Sequence, residues 1–384
     1  MNKIILLKDY AYYGVDKISA DKLTKDNYIG VDNILPNRGG IKTSDYFYGK
    51  GKVTSFKKGD ILIGNIRPYL KKIWLATFDG GCDADVLCIR PKEAISSEFL
   101  YSALSTDFFF NYVIKGAKGS KMPRGDKKHV MEFPILDINN KQAVGNFIVN
   151  INKTIANNNA ISEEVESMAK TIYDYWFLQF EFPNKDGKPY KSNGGKMVWN
   201  DQLKQEIPEE WEVSTVKNIL GDYPRTKTIE SKEYGLGTLY PIIDQSKDTY
   251  ICGYTNDKEK VLNLTDAIVF GDHSNKSKYV NFPFARGADG TQILNSNNPK
   301  LPNYLLYQEI ISLPEIEKGY SRHFKFLKAQ NVTIPTLDTA KDYINIVSNM
   351  LLQQREIIKE NQQLQSLRDF LLPMLMNGQV TFDN

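Results

Sequence analysis

Val332-Thr333-Ile334-Pro335-Thr336-Leu337 stands directly before a long stretch of helical periodicity, and the similar phrase Met131-Glu132-Phe133-Pro134-Ile135-Leu136 stands before another. Further matches lie upstream of both phrases: Ile61–Gly64 with Ile268–Gly271, and Tyr28–Asp32 with Tyr240–Asp244. The offset between matching segments drifts in one direction, as it does for two diverged copies with small insertions. The sequence therefore predicts a two-fold repeat and a pseudo-symmetric molecule, which suits a symmetric or bipartite target.

Composition indicates an ordinary globular protein. The chain has 384 residues, of which 41% are hydrophobic and 25% are charged, so we expect roughly two to three domains. Its three cysteines show no C-x-x-C spacing, and no apolar run is long enough to span a membrane. We expect a reduced, cytoplasmic protein with no membrane association. Because the net charge is only +3, any nucleic-acid surface must be a local concentration of Lys and Arg.

The pattern along the chain divides it into four blocks of α+β type. We predict a strand-rich α/β domain over 1–138, a long helix over 139–182, a linker and second α/β domain over 183–338, and a second long helix over 339–384. A helix of roughly 40 residues is about 60 Å long at ~1.5 Å per residue. Since one small domain cannot cover such a helix, we expect the two to pack as an antiparallel coiled coil that separates the two pseudo-two-fold-related domains.

Equivalent polar residues interrupt the apolar stripes of the two helices. Asn159 and Asn361 lie near the helix midpoints, which meet each other in an antiparallel pair. A buried Asn–Asn pair would fix the register of the helices at some cost in stability; the alternative is that both residues face solvent. The apolar residues expected in the pairing face are Ile155 with Ile357, and Val165 with Leu367.

No catalytic motif is visible in the sequence. Asn298-Pro299-Lys300 lacks the second proline and the aromatic residue that an amino-methyltransferase needs to hold its target amine. Arg38-Gly39-Gly40-Ile41-Lys42-Thr43 is not a phosphate-binding P-loop, because Ile41 separates the glycine from the lysine. The three histidines, His129, His273 and His323, have neither metal-ligand nor triad spacing. We expect a chain that binds no metal and catalyses nothing alone.

Basic residues recur at equivalent loops of the two copies. The first copy carries Arg67, Tyr69, Lys71 and Lys72 after a predicted strand, and Lys115, Lys118, Lys121, Arg124, Lys127 and Lys128 in a later Gly-rich stretch. The second copy carries His273, Lys276 and Lys278 at the first position, and Lys318, Arg322, His323, Lys325 and Lys328 at the second. A charge run is often only a solvated face, but its recurrence favours DNA contact. The loops differ more than the helices do, as expected for two modules that read different sequences.

Several longer stretches carry a resemblance to a known family. They are Gly59–Leu70 with Asp85-Val86-Leu87, the hinge from Trp176-Phe177 to Pro189-Tyr190, Ile207-Pro208-Glu209-Glu210-Trp211, Val269–His273, and the ending Leu371–Gln379. On these residues the chain resembles, over essentially its full length, the specificity (S) subunit of type I restriction–modification enzymes. The copies depart from each other in two places. The first lacks a counterpart to Trp211-Glu212-Val213, and the second lacks the Arg-Pro-Tyr-Leu-Lys-Lys stretch.

The resemblance implies a non-catalytic DNA-binding subunit. It implies two target-recognition domains that each read one half of a bipartite, asymmetric site in double-stranded DNA, and two helices that form a spacer and dock two modification (methyltransferase) subunits. It implies that S-adenosylmethionine and ATP are cofactors of the modification and restriction subunits, with none in this chain. The alternatives are a self-contained methyltransferase or nuclease with degenerate motifs, and a coiled-coil scaffold that binds proteins.

Overall fold

The computed structural model describes residues 3–43, 51–119, 121–223, 226–247, 249–314 and 322–382. These residues form a mixture of helices and sheets, which confirms the predicted α+β class. The chain divides into two compact units: unit 1 comprises Met1–Asn159 and Glu360–Asn384, and unit 2 comprises Ala160–Lys359. Over the described ranges, no helix combines the length and the apolar character that crossing a membrane requires.

Unit 1 contains two four-stranded sheets. The first has the strand order Ala11–Tyr13, Val86–Pro91, Ile61–Gly64 and Ile73–Leu75, and the second has the order Lys17–Ser19, Lys52–Phe56, Gly80–Cys82 and Tyr28–Ile29. The central strand Ile61–Gly64 is buried along its whole length and is paired on both edges, which explains its unbroken apolar sequence. The helices are Leu7–Tyr10, Ser97–Leu104, Asp107–Lys115 and Lys127–Met131, and Ile4–Leu6 pairs with Pro134–Leu136.

Unit 2 repeats this arrangement. Its first sheet has three strands in the order Ser277–Val280, Ala267–Gly271 and Thr291–Leu294. Its second sheet has four strands in the order Gly253–Thr255, Tyr240–Ile243, Phe284–Arg286 and Val261–Leu262. Its helices are Val216–Ile219, Asn303–Ser312 and His323–Lys328, and two further strand pairs join Glu212–Thr215 to Asn331–Ile334 and Met197–Asn200 to Gln205–Pro208. In both units a buried central strand carries an antiparallel partner on each edge, and the second sheet contains one parallel pair. The predicted repeat is therefore confirmed at the level of topology.

Pro134 and Pro335, which match in the sequence comparison, are not structurally equivalent. Pro134 is the first residue of its strand, whereas Pro335 follows the last residue of its strand. The carbonyl oxygens of Phe133 and Gln330 each accept the N–H at the start of a short helix, at 2.9 Å in both units. These two residues are the equivalent ones, so Pro134 corresponds to Asn331. Two short apolar sequences can match in a shifted alignment, whereas the backbone hydrogen bonds allow a single alignment of the two copies.

The first copy does have a structural counterpart to Val213, contrary to the sequence comparison, because Leu6 pairs with Pro134 as Thr215 pairs with Asn331. Ile4–Leu6 pairs antiparallel with Pro134–Leu136, just as Glu212–Thr215 pairs with Asn331–Ile334. Backbone groups form this ladder in both units. The side chains were therefore free to diverge until the sequence likeness disappeared.

Two long helices each contribute to both units. The central helix, Lys141–Tyr173, continues as a π-helical turn over Asp174–Leu178, and the C-terminal helix spans Leu337–Met376. Side-chain hydrogen bonds join Asn152 to Arg368 and Asn158 to Asn361 within unit 1, and Ser162 to Gln354 and Ala169 to Tyr343 within unit 2. In each unit, residue numbers rise along one helix as they fall along the other, so the helices pack antiparallel as predicted.

A cluster of asparagines joins the helices in unit 1. Asn361 Nδ2 donates to Asn159 Oδ1 at 2.9 Å, and Asn158 Nδ2 donates to Asn361 Oδ1 at 3.0 Å and to Glu360 Oε2 at 2.9 Å. Asn158 and Asn361 are buried, while Asn159 is exposed. The structure thus brings together the pair named from the sequence, and it adds Asn158 as the buried partner.

The apolar pairing residues are not all buried. The structure buries Ile155, Ile357 and Val165. Leu367 is 44% exposed, and the neighbouring Arg368 side chain is only 5% exposed. Arg368 Nη1 donates to Asn152 Oδ1 at 2.9 Å, and its Nε donates to Asp369. These bonds offset the burial of the guanidinium, and the methylene stem packs as an apolar group. Leu367 was expected in the pairing face because it lies in the apolar stripe of its helix and matches Val165 in the other copy.

We expect Asn361→Ala to lower the free energy of unfolding by about 1–3 kcal/mol, because it removes one of the two acceptors of the buried Asn158 amide and the donor to Asn159. Urea denaturation of the full chain measures this loss. The double variant Asn158→Leu/Asn361→Leu should recover most of it, since removing both polar groups leaves none unsatisfied.

Leu367→Ala is the matched control on the same helix, and we expect it to cost less than about 0.5 kcal/mol. If Asn361→Ala costs no more than this control, the asparagine cluster does not contribute to helix pairing.

Candidate nucleic-acid interface

Two basic loops predicted separately lie side by side in unit 1. The first loop (residues 65–72) follows the buried central strand, and the second loop (residues 121–126) precedes the helix Lys127–Met131. The N–H of Arg67 donates to the carbonyl oxygen of Pro123 at 2.8 Å. Backbone hydrogen bonding therefore joins the loops and presents their cationic side chains as one surface.

Gly125 allows the close approach of these loops. A Cβ atom at this position would lie 2.9 Å from Asn65 Oδ1 and 2.9 Å from Val113 Cγ1, nearer than such contacts occur. The residue that follows, Asp126, accepts the N–H groups of Lys128 and His129 at 2.9 and 3.1 Å and so caps the next helix. Close packing at Gly125 and the helix cap at Asp126 therefore fix the backbone of the second loop.

The first loop of unit 1 contains an uncommon backbone conformation. Arg67 and Lys71 both have φ of 52° and flank the turn Pro68–Leu70. A left-handed conformation is unfavourable for residues other than glycine and persists only where the surroundings impose it. Here the N–H of Arg38 donates to the carbonyl oxygen of Lys71 at 3.0 Å. The loop leaves the side chains of Arg67 and Tyr69 exposed.

Some cations of unit 1 are bonded to carboxylates. The ion pairs are Lys71 with Asp107 at 2.8 Å, Lys118 with Asp126 at 2.6 Å, and Arg124 with Asp85 at 2.9 Å. The hydrogen bond from Lys118, together with the backbone N–H groups, lowers the pKa of Asp126 to about 2. Exposed pairs of this kind contribute little to stability in water, so the two lysines can exchange a carboxylate for a phosphate.

The other candidates of unit 1 differ in exposure. Arg67, Lys121, Lys127 and Lys128 are exposed. The Lys72 side chain is 11% exposed, and its Nζ donates to the carbonyl oxygen of Val31 at 2.7 Å. Its ammonium group is thus directed into the protein, and we assign Lys72 a structural role.

The same two positions come together in unit 2. The first loop of unit 2 (residues 272–276) follows the buried strand Ala267–Gly271. The carbonyl oxygen of Asp272 accepts the N–H of His323, and its Oδ1 accepts the N–H of Phe324, both at 2.8 Å. In unit 1 the carboxylate that caps the corresponding helix belongs to Asp126, directly before the helix, whereas in unit 2 it belongs to Asp272, directly after the central strand.

A further loop of unit 2, residues 287–290, also contributes to this surface, and it was not predicted from the sequence. Gln245 Oε1 accepts the N–H of His273 at 3.0 Å, and its Nε2 donates to the carbonyl oxygen of Asp289 at 2.9 Å. Gly290 has φ of +84°, and a Cβ there would lie 2.6 Å from the His273 ring. The Gly287-Ala288-Asp289-Gly290 stretch was the available signal for a tight turn.

Two candidates of unit 2 are buried. Lys278 Nζ donates to the carbonyl oxygens of Asp244 at 2.8 Å and Thr249 at 2.7 Å, and burial lowers the pKa of Lys278. His323 is also buried, at the start of its helix. The exposed candidates are His273, Lys276, Arg322 and Lys325, and Lys318 lies outside the described residues. We assign Lys278 a structural role, since its ammonium group faces backbone carbonyls.

Comparisons with known proteins concern the chain as a whole. No protein-family model matches the chain. It is 24% identical over 393 residues to the type I restriction enzyme MjaIX specificity subunit of Methanocaldococcus jannaschii, covering 93% of this chain and 86% of that protein. It is 35% identical over 80 residues to the EcoDI specificity subunit of Escherichia coli, covering 21% of this chain and 18% of that protein.

A solved structure shares the fold. The crystal structure of the S subunit of a type I restriction–modification system from M. genitalium matches with a TM-score of 0.54 and 16% identity, covering 98% of this chain and 96% of that one. The curated match extends along nearly the whole sequence. The chain is therefore similar in sequence to the specificity (S) subunits of type I restriction–modification enzymes, and it shares its fold with one of them.

Proposed function

We propose that this chain reads a bipartite, asymmetric DNA site, one block with each unit, for a type I restriction–modification complex. The observation that carries the proposal is that both units hydrogen-bond the loop after the central strand to backbone at, or shortly before, the start of a short helix, and that exposed cations lie beside this contact in both. A specificity subunit recognises DNA sequence within its complex and is itself non-catalytic. Two half-sites of different sequence require two different binding surfaces. The loops of the two units provide them on a shared strand topology.

The side chains on the two surfaces suit DNA. Lys and Arg contact phosphates, and they also reach the acceptor atoms of guanine in the major groove. Among the residues that the structure describes, unit 1 presents mainly Lys and Arg, while unit 2 presents His273 and Gln245 beside fewer cations. Different donors at equivalent positions support readout of two unlike sequences.

The chain works with other subunits and with DNA. We propose that it binds two modification subunits, which carry S-adenosylmethionine, and that ATP belongs to the restriction subunits. Met168 and Phe370 support two docking positions, since they are exposed apolar residues at matching places in the two helices. Exposed apolar groups of this size favour contact with another protein. No cofactor is assigned to this chain.

The reading loops of unit 2 depend on buried supports. Lys278 holds the segment from Asp244 to Thr249 by its hydrogen bonds, and Gln245 of that segment bonds to His273. We therefore treat Lys278 as a positioning residue for the DNA surface of unit 2.

We expect a methylation map of a host that carries the intact system to show two short sequence blocks separated by a fixed gap. Sequencing of methylated adenines measures this. The isolated chain, incubated with labelled S-adenosylmethionine and DNA, should transfer no methyl group. A contiguous palindrome, or methyl transfer without partner subunits, would contradict the proposal.

Lys121→Gln should weaken DNA binding of the assembled complex by a similar factor for all sequences, because a lysine on phosphate carries no base information. The slope of log affinity against log salt should fall in magnitude by about 1. Titrations at several salt concentrations measure both. Lys185→Gln, an exposed lysine of the linker, is the control and should leave the slope unchanged; equal slopes for both variants would exclude Lys121 from the interface.

Lys278→Met should lower the free energy of unfolding by about 1–3 kcal/mol, because buried carbonyl groups lose their donor. It should also relax the sequence preference of one DNA block only. Lys325→Met makes the same change at an exposed lysine of the same unit and should cost less than about 0.5 kcal/mol. A Lys278 variant of normal stability that binds all DNA sequences more weakly would assign this lysine to phosphate contact instead.

A further inference from the structure

Arg124 is held in an unusually defined position for an exposed cation. Its Nε donates to Asp85 Oδ1 at 2.9 Å, and its Nη2 donates to Asp85 Oδ2 at 3.2 Å. These two parallel bonds occupy one edge of the planar guanidinium group. The other edge consists of Nη1 and the second N–H of Nη2. Within the part of the chain that the structure describes, no hydrogen bond engages Nη1, and the Arg124 side chain is 50% exposed.

The backbones of both partners are fixed as well. Arg124 and Lys118 exchange backbone hydrogen bonds at 2.9 Å in both directions. The carbonyl oxygen of Asp85 accepts the N–H of Asn65 at 2.8 Å, at the end of the buried central strand. The guanidinium group is therefore anchored through its own backbone and through the carboxylate of a residue that is hydrogen-bonded to the end of the buried central strand. Little conformational entropy remains to be lost on binding a ligand.

Charge decides which DNA group this pair suits. A carboxylate bonded to the guanidinium offsets its charge and repels phosphate, so the pair is a poor phosphate clamp. A base edge is uncharged, and guanine presents two acceptors, O6 and N7, in the major groove. The spacing of these acceptors matches two N–H groups of one guanidinium edge.

We propose that Arg124 reads a guanine in the DNA block of unit 1 through its Nη1 and Nη2 groups, and that Asp85 is the positioning residue that directs this edge outward. The inference rests on the proposed function and adds a base and two residues to it. Asp85 acts through Arg124 and is assigned no DNA contact of its own.

Unit 2 has a different residue at the corresponding position. Val86 pairs with Gly64 in unit 1, and Thr291 pairs with Gly271 in unit 2. The residues before Val86 and Thr291 are Asp85 and Gly290, so a glycine replaces the carboxylate. The Arg124–Asp85 pair is therefore a feature of unit 1, and the DNA block that we assign to unit 2 provides an internal control.

The test uses the complete complex with its modification subunits and a library of DNA with random sequence in both blocks. Methylated products are sequenced for the wild type, Arg124→Lys, Asp85→Asn and Lys121→Gln. We expect one block of the wild-type site to contain a G·C pair whose preference over other pairs falls roughly ten- to a hundredfold in Arg124→Lys. Asp85→Asn should reduce the same preference by a smaller factor, because one amide oxygen can still accept a hydrogen bond. Preferences in the other block should stay unchanged, and Lys121→Gln should lower methylation of all sequences alike.

Three results would overturn the inference: a wild-type site without a G·C pair in either block, an unchanged preference in both the Arg124 and Asp85 variants, or an equal loss over all sequences. If Arg124→Lys fails to fold, the nearly isosteric Asp85→Asn variant decides. A wild-type complex that selects no two-block site refutes the proposed function itself. A two-block site that is indifferent to both variants refutes only the roles of Arg124 and Asp85.

Discussion

The end of the central strand in each unit is the constraint on which the reading loops depend. Ile61–Gly64 and Ala267–Gly271 are buried and paired on both edges, so neither can shift without breaking two ladders. The next residue in each unit, Asn65 or Asp272, donates its N–H at 2.8 Å to the carbonyl oxygen of the residue directly before the neighbouring strand. Each loop therefore starts from a fixed point, and side chains on it can be placed with the accuracy that base recognition requires.

In the pair of long helices, polar contacts specify the register. An apolar stripe alone allows neighbouring registers of nearly equal energy, because one layer of aliphatic residues resembles the next. The hydrogen bonds of Asn158 with Asn361, and of Asn152 with Arg368, are satisfied in one register. Any slip would leave buried polar groups without partners, which costs more than a lost apolar contact. Polar groups inside the stripe thus trade stability for a unique alignment of the helices.

The duplication, the two long helices and the antiparallel pairing could be predicted from the sequence, because they follow from repeated phrases and periodicity. The fate of single cations could not. Lys72 and Lys278 resemble Lys121 in the sequence, but their amines bond carbonyl oxygens of residues that are far away along the chain. Arg368 took the place expected for Leu367 because its partner, Asn152, lies on the other helix. Periodicity identifies a face of a helix, whereas the exact residue on it depends on contacts that no local pattern encodes.

The position held by Asp85 and Gly290 shows how a duplicated framework can diverge without unfolding. In both units the carbonyl oxygen at this position accepts the N–H from the end of the central strand, so the backbone bond is indifferent to the side chain. Unit 1 uses the side chain to hold Arg124. Unit 2 dispenses with it, and at Gly290 gains the positive φ and the space that His273 and Gln245 occupy. The fold is carried by main-chain groups, and the side chains at this position remain free to change what the surface recognises.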